Sequence, residues 1–100
     1  MSYILGGHTF TTTRDVTTHA STVLNRAVPG EPLTGSEAAF VADLFARHPE
    51  ARRKAGPGVL FFYVGVIPGW DTRNFHVYRS DGSFDNFSVK KCVATLTRKS

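Results

Sequence analysis

The Asp81-Gly82 pair constrains the fold of this 100-residue chain more than any other feature, because it is typical of a tight turn in a β-hairpin. Residues 73–79, which precede the turn, alternate between apolar and polar side chains, and this predicts a strand with one face towards a core. We expect a type I′ turn and a short returning strand. The register stays open, since a two-residue loop puts Phe84 on the inner face and a bulged three-residue loop puts Phe87 there.

The segment after the hairpin is expected to form a short helix from Val89 to about Leu96. Ser88 is placed to cap it, because its hydroxyl can accept a hydrogen bond from a free backbone N–H of the first turn. We expect Phe87 to pack against Cys92 at the start of this helix. A fourth strand is the alternative, since the β-branched residues in this segment tolerate either structure.

Two further helices are predicted upstream, where apolar residues recur at helical spacing. The first covers residues 13–26, with Thr12 or Thr13 at its cap. The second begins at residues 34–37, Thr-Gly-Ser-Glu, which fit a capping box in which the glutamate reaches back to the cap. It ends at residues 48–49, His-Pro.

Residues 59–67 form a nearly continuous apolar run, which is typical of a central strand that is covered on both faces. With a short edge strand near residues 9–12, the element order is β-α-α-β-β-β-α. We therefore expect an α+β fold in which two helices pack on a small antiparallel sheet, as one two-layer domain over residues 1–100. Its core spans about residues 8–96, and residues 97–100 form a flexible tail.

Charge and cysteine content narrow the kinds of partner and compartment. Residues 1–50 hold three basic and five acidic residues, a net charge of −2, whereas residues 51–100 hold nine and three, a net charge of +6. The second half therefore suits a polyanion such as nucleic acid, and the alternative is an ordinary solvated basic surface. A single cysteine indicates a reducing setting, and no apolar run approaches the roughly 20 residues of a membrane helix. We expect a cytoplasmic protein with no membrane partner, or a nuclear or organellar one if its source is eukaryotic.

The sequence contains no residue pattern that specifies a reaction. His8, His19, His48 and His76 lie in four different elements without the spacing of a zinc site, so we expect no metal and no cofactor. Cys92 lies on the expected buried side of the last helix, which argues against a role as a nucleophile. The chain is therefore not expected to be an enzyme.

The remaining candidate site is a surface of aromatic and basic side chains around the hairpin. Rings there can stack on unpaired bases, and basic side chains can contact phosphates. The candidate nucleic-acid-binding residues are Trp70, His76, Tyr78 and Phe84, which supply rings, and Arg52, Arg53, Lys54, Arg73, Arg79, Lys90 and Lys91, which supply charge. The alternative for the rings, above all for Tyr63, is a place in the core. Asp85 has Arg79 or Lys90 as its expected partner across the hairpin.

Residues 79–92 resemble the signature of the DCL (defective chloroplasts and leaves) domain family. The residues that carry the resemblance are Phe75, Arg79, Asp81, Gly82, Ser83, Phe87, Ser88, Lys91 and Cys92. The predicted helix pair that ends at residues 48–49 also matches, so the resemblance spans about residues 8–95. Asn86 and Asn74 depart from the family, which usually has Asp and often Cys at those places.

The resemblance implies a link to RNA. Plant members of the family are associated with chloroplast ribosomal RNA processing, and a related domain sits in the largest subunit of plant RNA polymerase V. Short stand-alone versions occur in bacteria and phages, and this chain is similar to them. The first hypothesis is therefore a non-catalytic RNA-binding module in RNA processing or a transcription-associated complex. The second is an adaptor that docks on a polymerase or a ribosome-associated partner, and a nuclease ranks last.

Overall fold

The computed structural model describes residues 2–67, 69 and 72–96, and within them the chain forms five strands and four helices. The strands are β1 (Tyr3–Leu5), β2 (His8–Phe10), β3 (Val59–Ile67), β4 (Thr72–Arg79) and β5 (Phe84–Phe87). The helices are α1 (Thr13–Arg26), α2 (Gly35–Ala46), α3 (Ala51–Ala55) and α4 (Val89–Leu96). The expected α+β class and the order of its main elements are confirmed, and α4 is a helix rather than a fourth strand. The expected tail at residues 97–100 lies outside the described residues.

Three strands form one antiparallel sheet in the order β3-β4-β5, with β4 in the centre. Alternate side chains of these strands enter the hydrophobic core, and they are Phe62, Val64, Phe75, Val77 and Phe87. Helices α1, α2 and α4 supply the other side of the core, and α4 packs against both of the others. The domain therefore has two layers, and one face of the sheet is turned away from the helices.

The prediction that β3 is a central strand covered on both faces is wrong, because β3 lies at an edge of the sheet. Its apolar run has a different cause: one face enters the core, and the other carries rings that pack on side chains of β4. The loop between α1 and α2 runs along the free edge of β3. There the N–H of Gly30 donates to the carbonyl of Val64 (2.9 Å), and the N–H of Leu33 donates to that of Phe62 (2.8 Å).

The hairpin between β4 and β5 has a three-residue loop, residues 80–82, so the bulged register is confirmed and the type I′ turn is wrong. The N–H of Gly82 donates to the carbonyl of Arg79 (3.0 Å), which closes the turn. Gly82 has a left-handed φ of 87°, a conformation that a side chain would disfavour. In this register Phe87 is buried and Phe84 is exposed.

Two of the three predicted helix caps form. Oγ1 of Thr12 accepts a hydrogen bond from a first-turn N–H of α1 (3.1 Å), and Oγ of Ser88 accepts one in α4 (3.4 Å). The capping box at α2 is wrong, since Thr34 sits at the cap without a side-chain hydrogen bond and Glu37 does not reach back to it. Gly35 has a φ of 62°, so the backbone leaves helical geometry within the turn that the motif requires.

An N-terminal hairpin of β1 and β2 adds to the expected fold, since the sequence predicts only a short strand near residues 9–12. Leu5 and Phe10 of this hairpin are buried in the core. The N–H of Gly6 donates to Oδ2 of Asp43 in α2 (2.6 Å), which holds the turn on that helix. Strands of three residues carry too little periodicity for a sequence pattern to reveal them.

Lys54 covers part of the other edge of the sheet. The N–H of Arg79 donates to the Ser83 carbonyl (2.8 Å), and from there every second residue of β5 directs its backbone groups towards β4. Asn86 is one of the residues between them, so its backbone groups point away from β4. Nζ of Lys54 donates to the Asn86 carbonyl (2.9 Å) and to Oδ2 of Asp85 (3.0 Å). The N–H of Asn86 donates to Oδ1 of Asp85 (2.8 Å), so a further strand cannot pair at this residue.

Replacing Lys54 with alanine should destabilise the fold, because Asp85 and the Asn86 carbonyl would lose a donor whose side chain is only 11% exposed. We expect the free energy of unfolding, measured by urea denaturation, to fall by about 1–3 kcal/mol. The matched control is Arg53→Ala in the same helix, because the Arg53–Glu50 ion pair is exposed and should contribute little. Equal losses in the two variants would contradict the role given to Lys54.

Candidate nucleic-acid interface

Five aromatic side chains share the face of the sheet that is turned away from the helices. Phe61 lies opposite Tyr78 in the register, and Tyr63 lies opposite His76. The rings of each pair stack, with centroids 4.8 Å and 5.0 Å apart respectively. Phe84 of β5 also lies opposite Tyr78, and its ring centroid is 6.5 Å from that of His76. We call these five residues the aromatic face.

The aromatic face is open to solvent. None of its residues belongs to the hydrophobic core, because α1, α2 and α4 all pack on the other side of the sheet. Phe84 is 62% exposed, and Leu60, the extra residue of a bulge at the start of β3, is 60% exposed. Contiguous apolar surface of this kind marks binding sites in soluble proteins.

The ring of His76 lies over Gly65, the one residue of β3 without a side chain. A methyl group at position 65 would lie 2.6 Å from Cε1 of His76, well inside van der Waals contact. Nδ1 of His76 is 3.1 Å from the carbonyl oxygen of Asn74, which also fixes the ring. The glycine in the middle of the apolar run therefore makes room for the His76 ring that stacks on Tyr63.

Arg73, one of the candidate phosphate contacts, lies on the helix side of the sheet. Its Nη1 donates to the carbonyls of Leu24 (2.8 Å) and Ala27 (2.9 Å). The guanidinium thus satisfies carbonyls at the C-terminal end of α1, where a cation is also favoured by the helix dipole. Arg73 therefore ties α1 to the sheet.

Arg79 is also hydrogen-bonded within the protein. Its Nε donates to the carbonyl of Lys54 (2.6 Å), and its Nη1 donates to Oγ of Ser83 (3.0 Å). Its Nη2 lies 3.5 Å from Oδ2 of Asp85, so the expected pairing of Asp85 with Arg79 is confirmed. Lys54 is a second partner of Asp85 that the sequence does not reveal. Burial works against the charge of Asp85, but the hydrogen bond and charge of Lys54 outweigh it and lower the pKa of this carboxyl.

The other candidate cations lie on α3 and α4 rather than on the aromatic face. We call them the basic cluster, and its members are Arg52, Arg53 and Lys54 on α3 and Lys90 and Lys91 on α4. The pKa of the buried His48 ring is lowered by burial and then by the charges of Lys54 on α3 and Lys91 on α4. The expectation for Trp70 lies outside the described residues.

Cys92 and the other histidines have packing roles. Cys92 is buried, and burial raises the pKa of its thiol to about 12, so the thiol stays protonated at neutral pH. The ring of His19 contacts those of His8 and Phe40, and burial followed by the charge of His8 lowers its pKa. Among the described residues, no three His, Cys, Asp or Glu side chains form a group that could hold a metal ion. The described helices are too short and too polar to cross a membrane.

Sequence reasoning missed one member of the aromatic face, Phe61, and ranked a second, Tyr63, too low. For Tyr63 it favoured a place in the core over a place among the stacking rings, because aromatic side chains dominate small cores. The pattern that could have revealed them is the alternation along residues 59–67. Phe61, Tyr63 and Gly65 are two residues apart, so they lie on one face of the strand, and that face is shared with His76. The sequence alone does not show that this face is exposed, because the exposure depends on the position of the strand in the fold.

Residues 21–93 match the model of a family described as a protein of unknown function, DUF3223. The "Protein DCL, chloroplastic" of Solanum lycopersicum is 40% identical over 57 residues, which cover 56% of this chain and 25% of that protein. The "DNA-directed RNA polymerase IV subunit 1" of Arabidopsis thaliana is 35% identical over 68 residues, which cover 68% of this chain and 5% of that protein. The chain therefore matches only a minor part of each of these curated relatives.

A solved structure shares most of this fold. It is the solution NMR structure of an uncharacterized protein from Rhodospirillum rubrum, with a TM-score of 0.79 and 37% sequence identity. The match covers 90% of this chain and 86% of that one. The architecture described above thus recurs in a chain of similar extent.

Acid should destabilise the fold, because the pKa values of His19 and His48 are both lowered in the folded protein. As the pH falls, the histidines of the unfolded chain take up protons near the usual pKa of about 6.5, whereas those of the folded protein do so only at lower pH. The free energy of unfolding should therefore be highest above about pH 6.5 and fall as the pH drops through and below that value. Urea denaturation between about pH 7.5 and 5 measures this fall, which should be shallower in His19→Gln. A flat profile for the unsubstituted protein would contradict the prediction.

Proposed function

Since this chain belongs to the DUF3223 family, the family of the DCL domain, we propose for it a function that rests on its aromatic face: non-catalytic binding of RNA. The module acts in RNA processing or in a transcription-associated complex, and its compartment is the cytoplasm. The polymerase subunit among its relatives supports the link to transcription. The single buried thiol of Cys92 supports a reducing compartment and a non-catalytic role.

The observation that carries this proposal is the open aromatic face. Exposed rings such as that of Phe84 can stack on unpaired bases, and each stacked base contributes about 1–3 kcal/mol to binding. Sheet faces with aromatic residues hold two or three bases in this way in known RNA-binding domains. Asn74 and Asn86 lie on the same face, where their amide groups can donate to and accept from base edges.

The charge distribution supports a polyanion as the ligand. Residues 51–100, which supply the whole three-stranded sheet, carry the net charge of +6. Arg73 and Arg79 use their donors within the fold, so the attraction for phosphate comes from cations that remain exposed. Long-range attraction of this kind raises association rates and weakens as salt concentration increases.

A protein-interaction adaptor is the second candidate, and the exposed Leu60 and Phe84 favour it. Both are large apolar side chains near Tyr78, and such side chains often anchor protein interfaces. The partner in this case would be a polymerase or a ribosome-associated protein bound through the same face. Capture of one protein partner that survives nuclease treatment, together with no affinity for RNA, would favour the adaptor.

Replacing Phe84 with alanine should weaken the binding of single-stranded RNA by about 5- to 150-fold, because one stacking ring is lost. Fluorescence anisotropy with a labelled unpaired RNA measures the dissociation constant. Ile4→Ala is the matched control, because Ile4 is 66% exposed but lies on β1, away from the aromatic face. Gly65→Ala is a second test, since the added methyl group would displace the His76 ring.

Three results would overturn the proposal. One is equal affinity of the Phe84→Ala and Ile4→Ala variants for the labelled RNA. Another is tighter binding of a duplex than of a single strand, since paired bases cannot reach the rings. Metal-dependent cleavage of the RNA by the purified protein would instead show a nuclease.

A further inference from the structure

We propose that the basic cluster binds the phosphates of the same RNA, so that the ligand is a single strand that crosses the β5 edge from the aromatic face to α4. This inference rests on the proposed function. It adds the class of RNA and the path of its backbone.

The aromatic face and the basic cluster meet at β5. The side chain of Asn86 lies on the aromatic face, opposite His76 in the register, while its carbonyl accepts a hydrogen bond from Nζ of Lys54 (2.9 Å). Lys54 belongs to the basic cluster, so the cluster begins at the strand where the rings end. Phe84, the outermost ring, is two residues from Asn86 on β5, about 7 Å along the strand, so the step from the rings to Lys54 is short compared with a chain of several nucleotides.

Part of the basic cluster is free to bind an anion. Residues 50–54 and 85–91 contain five cations and two carboxylates, a net charge of +3. Cluster members already bind both carboxylates, at 2.9 Å for Glu50 and 3.0 Å for Asp85. The members that are exposed and have no ion pair within the described part of the chain are Arg52, Lys90 and Lys91.

The positions of Lys90 and Lys91 point to a role for their charge outside the fold. Both lie in the first turn of α4, where the positive end of the helix dipole disfavours cations and no acidic residue is present. The charge of Lys91 also lowers the pKa of the buried His48 ring and so opposes its protonation. These lysines therefore concentrate positive potential where they do not help the fold, and such local conflicts are typical of functional sites.

A single RNA strand fits this arrangement better than a duplex or a peptide does. Duplex RNA keeps its bases paired and stacked, out of reach of the rings. A peptide strand would need free backbone groups on β5, and those of Asn86 are occupied by Asp85 and Lys54. An unpaired RNA strand needs no backbone pairing, since its bases contact rings and its phosphates contact lysines.

The test compares the salt dependence of binding for two unpaired, labelled RNAs, about 4 and about 12 nucleotides long. Anisotropy titrations between about 50 and 200 mM salt give the slope of log Kd against log salt concentration, which is about 0.7 for each phosphate contact on a single strand. The test variant is Lys90→Gln with Lys91→Gln. The control, with the same change in charge, is Arg14→Gln with Arg26→Gln at exposed positions of α1.

The unsubstituted protein should bind the longer RNA with a steeper slope than the shorter one. In the lysine variant the slope for the longer RNA should fall by about 1.4, the value for two lost phosphate contacts. The α1 control should keep the unsubstituted slope. Thermal unfolding of each variant checks that the fold is retained.

The outcomes separate this inference from the proposed function. An unchanged slope in the lysine variant, with binding still weakened by Phe84→Ala, would overturn the path and leave RNA binding in place. An equal loss of slope in the α1 control would also overturn it, because the charge effect would then be diffuse. Failure of the unsubstituted protein to bind either RNA would overturn the proposed function itself.

Discussion

The burial of Phe87 is the contact on which the rest of the sheet depends. Its ring lies among those of Phe45, Phe62 and Phe75, with centroids 5.0, 6.0 and 5.9 Å away. This packing fixes which residues of β5 face the core, because a shift by one residue would turn every side chain of the strand to the opposite face. The exposure of Phe84, and with it the outermost ring of the aromatic face, follows from the position of Phe87.

Periodicity in the sequence predicted most of the elements but not their placement in the sheet. The bounds of α1 agree with those expected, because its apolar residues recur at one clear spacing. The choice between Phe84 and Phe87 depended on the length of the turn, which is decided by packing of the whole core. The edge position of β3 was hidden for a related reason. Phe61 and Tyr63 are apolar enough to look, in the sequence, like a second buried face.

Charge was a weaker guide than periodicity. The sequence does not distinguish Arg73 and Arg79, whose donors turn back onto backbone carbonyls, from Lys90, which is exposed. The same limit applies to the DCL signature. Gly82 shapes the hairpin loop and Cys92 fills the core, so much of the signature describes how the hairpin is built rather than what it binds.

The coverage of the sheet edges affects how such a domain behaves inside a longer polypeptide. The loop at Gly30 and Leu33 covers β3, and Lys54 blocks β5 at Asn86. Exposed strand edges are common starting points for aggregation and for unwanted pairing between chains. A small sheet whose edges are partly covered in this way offers fewer such sites, so it is less prone to pair with strands of a longer polypeptide that contains it.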